Sequence, residues 1–133
     1  MIKHLTLLLF IGLAFWSCES SDIASEGYFK SELNDRIATY SIKNTTEEDA
    51  VKRHAVQTMH TNGRMTCVYY FYEDSKVPMS GLSSANGIVE ANRIIDAFSS
   101  GIKYAYIKNH QGKMKFVDCE KNPDDDLCNN LSK

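Results

Sequence analysis

The run Met65-Thr66-Cys67-Val68-Tyr69-Tyr70-Phe71-Tyr72 constrains the fold more than any other segment. It is β-branched or aromatic nearly throughout, the composition that favours a strand. Apolar residues occupy both alternating sets, so neither face suits water. A strand of that kind belongs in the middle of a sheet with covering layers on both sides. Two further strands follow, over Ile102–Lys108 and Lys113–Cys119, with Tyr104, Tyr106 and Phe116 supplying their strand character. Asn109-His110-Gln111-Gly112 between them holds the Asn and Gly that a tight antiparallel connection needs.

Helices must supply the cover. Thr46 followed by Glu47, Glu48 and Asp49 reads as a capping box with acids in the first turn. Val51, Ala55 and Met59 then line one face, and Asn62-Gly63 supplies a stop, so a helix is predicted over about Thr46 to Thr61. A second helix carries the stripe Ile88, Ala91, Ile95 and Phe98, capped by Ser83 or Ser84 and closed by Gly101. Tyr28 to Ile42 is ambiguous. Phe29, Leu33, Ile37 and Tyr40 fall on one helical face, whereas Ala38, Tyr40 and Ile42 alternate like a strand; the spacing favours a helix through about Ala38. The expected architecture is a single small α+β domain, with two or three helices packed on a three- or four-stranded mixed sheet ending in a β-hairpin. The helix between the first two strands is placed for a right-handed crossover.

Ahead of this domain, Lys3 and His4 precede an apolar run from Leu5 to Trp16, then Ser17 and Cys18. Basic start, apolar stretch and small residue are the parts of a secretory signal peptide. At about a dozen residues the run is shorter than the about 20 a spanning helix needs. A Cys directly after a small residue, followed by Glu19-Ser20-Ser21-Asp22, resembles the lipobox of bacterial lipoproteins. The resemblance covers the leader alone. It implies cleavage after Ser17, a diacylglyceryl group on the Cys18 thiol and acylation of the new amino group. Residues 1–17 are then the signal peptide, 18–26 a lipid-attached flexible tether of polar, Ser-rich composition, and 27–133 the domain. Several acyl chains together give stable anchoring to a membrane. Glu19, rather than Asp, after the Cys favours the outer membrane, facing the periplasm. Ordinary cleavage and secretion of a soluble protein is the alternative.

Of 133 residues, removal of the first 17 leaves 116, one domain by size. The mature chain carries 14 basic and 17 acidic residues, a net charge of −3. That balance argues against nucleic acid as a partner, which calls for a clustered basic surface. With Cys18 taken by lipid, Cys67, Cys119 and Cys128 remain. Cys119 and Cys128 bracket a short polar loop, and closing a nearby loop is easy, so they are the favoured disulfide with Cys67 a buried thiol. Cys67–Cys119 is the rival pairing. An unlipidated chain would have four cysteines for two bonds.

No chemical motif is decisive. His54 and His60 are six apart, which does not stack them as i, i+4 ligands, and HExxH and CxxC are missing. Asp96 or Glu90 would have to meet a histidine in space. Cys67 sits in a dense apolar strand where a thiolate is disfavoured. Asp124-Asp125-Asp126 lacks the alternating spacing of a calcium loop, and Gly81 and Gly87 with their serines lack the GxxxxGK[ST] of a phosphate loop. Asn44-Thr45-Thr46 and Asn130-Leu131-Ser132 match glycosylation sequons, which carry meaning only in a eukaryote. Tyr70 and Tyr72 share a strand face and form a possible binding surface, unless helices cover it. The expectation is a non-enzymatic, cofactor-free envelope lipoprotein that binds another envelope protein, as an accessory, immunity or inhibitor factor. Two alternatives stay open. One is a small periplasmic hydrolase in which His54 or His110 meets a carboxylate or Cys67. The other is a domain binding an aromatic or glycan ligand through Tyr70 and Tyr72.

Overall fold

A computed structural model describes residues 22–58, 63–75 and 82–129. The order of elements is β1 (Ile23–Lys30), β2 (Arg36–Ile42), α1 (Glu48–Gln57), β3 (Thr66–Tyr72), α2 (Ile88–Asp96), a 3₁₀ turn (Ser99–Gly101), β4 (Ile102–Lys108), β5 (Met114–Asp118) and the short α3 (Asp126–Asn129). It is a small single α+β domain on a mixed sheet. The sheet has five strands rather than three or four, in spatial order β1-β2-β3-β4-β5.

β2 comes from the segment whose spacing favoured a helix, and β1 from the start of that segment together with residues read as the tether. Residues 28–42 form most of an antiparallel hairpin in which Phe29 pairs with Ile37. Its turn is polar and self-bonded. Ser31 N–H donates to the Asp35 carbonyl at 2.8 Å, Asp35 N–H donates to Ser31 Oγ at 3.0 Å, and Asn34 takes a left-handed φ of 66°. Asn is among the few side chains that tolerate that conformation. Leu33, needed for the apolar helical stripe, is exposed in this turn. Part of the stretch read as a flexible tether is strand. Ile23-Ala24-Ser25-Glu26 lie in β1, where Glu26 is the extra residue of a bulge and its carboxylate accepts a 2.7 Å hydrogen bond from Ser41 Oγ. A partner strand orders residues whose composition alone suggested flexibility.

β3 is the central strand, as its sequence required. It runs parallel to β2, with Ile42 beside Tyr72, and antiparallel to β4. The crossover is therefore β2–α1–β3. The helix preceding β4 joins antiparallel neighbours and makes no such crossover. α1 and α2 pack on opposite faces. Val51 and Ala55 of α1 meet Ile42, Val68, Tyr70, Tyr104 and Tyr106. Ala91 and Ile95 of α2 meet Phe29, Ile37, Cys67, Tyr69 and Phe71. Alternation along β3 thus feeds two separate cores.

Helix starts differ from expectation. α1 has Glu47 at its N-cap with no side-chain cap bond, and Thr46 Oγ1 is buried without a partner among the described residues. The capping box is not formed. α2 starts at Gly87, whose φ of 99° suits glycine, and not at Ser83 or Ser84. The Glu90 carboxylate reaches back to accept from Asn86 N–H at 2.6 Å. The expected stop at Asn62 and the stripe residue Met59 lie outside the described residues. The closing β4–β5 hairpin forms as expected: Asn109 N–H donates to the Lys113 carbonyl, and Asn109 Oδ1 accepts from Gln111 and Lys113 N–H.

Candidate functional site

Pairing across the sheet brings the start of β1, the ends of β2 and β3, and the start of β4 to one end of the molecule. A cleft of about 610 Å³ opens there, bordered by Tyr72, Asp74, Ser99, Ser100, Glu120 and Asn129, with Cys119 and Cys128 in its wall. Two features build it. The first is the Cys119–Cys128 disulfide, which ties α3 back to the end of β5. Among the described residues, Cys67 is a free, buried thiol. The second is a bulge in β4. Tyr70 pairs with Tyr104 and Phe71 with Ile102, so Lys103 is the extra residue.

A bulge re-aims a side chain. Lys103 Nζ donates to both Asp118 oxygens, at 3.1 and 3.2 Å, and to Glu120 Oε2 at 2.7 Å. It also lies 5.1 Å from the Tyr104 ring centre. Tyr72 Oη donates to the same Glu120 oxygen at 3.0 Å. Burial would lower the Lys103 pKa, but Glu120 and Asp118 outweigh it and hold it raised. Burial would raise Asp118, yet the Lys103 ammonium and the Lys121 and Glu120 N–H groups hold it low. The hydrogen bond from Lys103, then that from Tyr72, lowers Glu120. Gly101 lines the cleft where a Cβ would meet Ser75 Cβ and Oγ at 3.0 Å, so a larger residue would press into the wall.

The two tyrosines proposed as a surface part company. Tyr72 lines the cleft and is partly exposed. Tyr70 is 0% exposed under α1, so it offers nothing to a partner. Its hydroxyl lies 2.9 Å from His54 Nδ1, and Tyr40 stacks on the Tyr70 ring with centroids 5.7 Å apart. Burial lowers the His54 pKa and raises that of Tyr70.

His110 meets an acid at the other end of the sheet. Its Nε2 lies 3.1 Å from Asp35 Oδ1, which also accepts from Met65 N–H at 2.9 Å. This pair bridges the β1–β2 and β4–β5 turns and is open to solvent. Cys67 lies near enough to feel the Asp35 charge, but burial pushes its thiol up to about 11, which leaves it protonated and sealed from substrate. His60, Lys76, Gly81 and the second sequon lie outside the described residues. Asp125 of the acidic loop pairs with Lys115 at 2.7 Å. Among the described residues, no group of three or more His, Cys, Asp or Glu is placed to hold a metal ion. None of their helices is long and apolar enough to cross a membrane.

No family model, curated protein or solved structure matches this chain.

Proposed function

We propose that this chain is a lipid-anchored protein of the bacterial envelope that works by binding another envelope protein, as a non-enzymatic accessory or inhibitor-type module. The leader carries the reading: an apolar run from Leu5 to Trp16, then Ser17 and Cys18. The spacing to the domain supports it. β1 begins at Ile23, five residues after Cys18. Five residues span at most ~18 Å at about 3.3–3.6 Å each. A lipid on Cys18 would hold the cleft end of the sheet toward the bilayer, at the periplasmic face of the outer membrane, and turn the His110 end away from it.

A second reading, a glycan- or aromatic-ligand site, is favoured by the cleft itself. Tyr72 offers an aromatic body with a polar tip beside Asp74, Ser99 and Asn129, a mixture of groups suited to a hydroxyl-rich ligand. The hydrolase reading ranks below both. His110 and Asp35 have acid–base geometry, but the nearby thiol, Cys67, is buried.

Intact mass of the membrane-extracted protein, with and without reduction and alkylation, tests the anchor. The expected mass is Cys18 to Lys133 plus acyl chains, with one disulfide and one free thiol. An unlipidated mass would sink the anchored reading and turn attention to soluble secreted ligands.

A further inference from the structure

We infer that the groove between α1 and the β4–β5 hairpin is the partner-contact surface, and that it takes an acidic polypeptide segment inserting one apolar side chain. The inference rests on the reading of this chain as an interaction module and names the chemistry of its partner; it does not depend on the lipid. The groove is about 220 Å³, lined by Lys52 and Val56 of α1 and by Tyr106, Met114 and Phe116 of the hairpin. That is below the roughly 300–1,000 Å³ of sites that enclose a small molecule, but ample for a single side chain.

Its composition matches the energetic centre of a protein interface. Met114 is 61% exposed and Val56 52% exposed, facing each other across a floor of aromatic rings. Isolated exposed apolar residues are ordinary, whereas apolar residues converging on one concave site with a charged rim mark a contact surface. Tyr106 is 3% exposed and forms part of the aromatic floor.

Charge decides the sign of the partner. Lys52 Nζ lies over the Phe116 ring, 5.2 Å from its centre, which puts an ammonium at the groove. Lys108 is the cross-strand partner of Met114. The same end of the sheet continues through Arg36 and Lys30, which pair with each other across β1 and β2. Lys30, Arg36 and Lys108 make no ion pair among the described residues. Glu48, in the first turn of α1, pairs with Lys52 at 3.2 Å, so the Lys52 charge is already shared with an acid. An acidic segment would meet a row of uncompensated cations here and be drawn in at low salt.

The test uses the full purified protein and a fluorescent synthetic peptide in which one Leu is flanked on both sides by glutamates. Two control peptides replace Leu with Ala, or every Glu with Lys. Anisotropy should show binding of the Leu–Glu peptide that weakens in high salt, weaker binding of the Ala peptide, and none of the lysine peptide. Met114→Glu should weaken binding by about tenfold or more, about 1.4 kcal/mol. The pair Lys52→Gln with Lys108→Gln should do the same, while Val89→Glu on the exposed side of α2 should leave it unchanged. Circular dichroism and thermal melts check that each variant is folded. The proposal is overturned by absence of binding at millimolar peptide, by equal binding in Met114→Glu and Val89→Glu, or by preference for the lysine peptide. An unlipidated protein that binds the Leu–Glu peptide removes the anchor and keeps the groove; a lipidated protein that does not bind it does the reverse.

Discussion

His54 Nδ1 and the Tyr70 hydroxyl lie 2.9 Å apart where α1 closes over the central strand. Tyr40 completes the cluster, edge-on to the imidazole with centroids at 4.5 Å. Here a histidine on a helix satisfies a tyrosine that is wholly out of water, and in return is itself partly desolvated. Tyr70→Phe removes the shared hydrogen bond and leaves Nδ1 without a partner. It should cost about 1 kcal/mol, the usual net worth of such a bond, read as a fall in the urea midpoint.

The same contact sets a pH dependence. Burial lowers the His54 pKa below its unfolded value of about 6.5. The unfolded chain therefore takes up the proton first, and stability falls as pH drops below about 6.5 toward the folded pKa. Melting from pH 7 to pH 5 should show this loss. His54→Gln keeps an acceptor for Tyr70 without titrating in this range, so the loss should be smaller in that variant. An identical slope in both proteins would assign the effect to other groups.

Lys103 holds Asp118 beside the cleft. Lys103→Met should destabilise the domain by about 2 kcal/mol at pH 7, since hydrogen bonds to charged groups are among the stronger ones. The folded pKa of Asp118 is lowered, so its contribution is present above the unfolded value near 3.9 and is lost as pH falls through the folded one. The gap between wild type and Lys103→Met should therefore narrow below about pH 4. A gap that stays constant in acid would mean that packing, not charge, makes Lys103 important.

Removing the disulfide should loosen the cleft wall. The bond closes a sequence separation of 9 residues, for which chain entropy gives about 2.6 kcal/mol. Cys119→Ala with Cys128→Ala should lower the melting temperature, and a reductant should lower that of the wild type by a similar amount. Insensitivity of the wild type to reductant would argue that α3 docks without the covalent tie.

Cys67 should resist alkylation in the folded protein. Burial pushes its pKa up to about 11, so thiolate and access are both withheld. Iodoacetamide labelling should appear only on unfolding, with the denaturant midpoint of the global transition. Rapid labelling in native buffer would revive a reactive role for it.

Much of the fold was legible because β3 carries its environment in its own sequence. Thr66 to Tyr72 has no polar face, so a sheet with cover on both sides was required. Helix stripes at Val51 and Ala55, and at Ala91 and Ile95, named the two covers. Phe29, Leu33 and Ile37 misled, because a four-residue spacing fits a helix as well as two strands joined by a turn. Ser31, Asn34 and Asp35 settled the matter through hydrogen bonds that form only once β1 and β2 pair. The cleft was half legible. Tyr72 was visible as a surface candidate, but Lys103 was not, since nothing local marks it as the extra residue of a bulge.

The order of apolar and polar residues by itself determined the central strand, its two helical covers and the closing hairpin. These depend on periodicity and short loops, which are local. Only the tertiary structure decided that Tyr70 is buried and Tyr72 is not, that Lys103 turns onto Asp118, and that Val56 and Met114 share one groove. Each of these depends on where α1 ends over the sheet and on strand register. Both are set by long-range packing, which no single stretch of sequence contains.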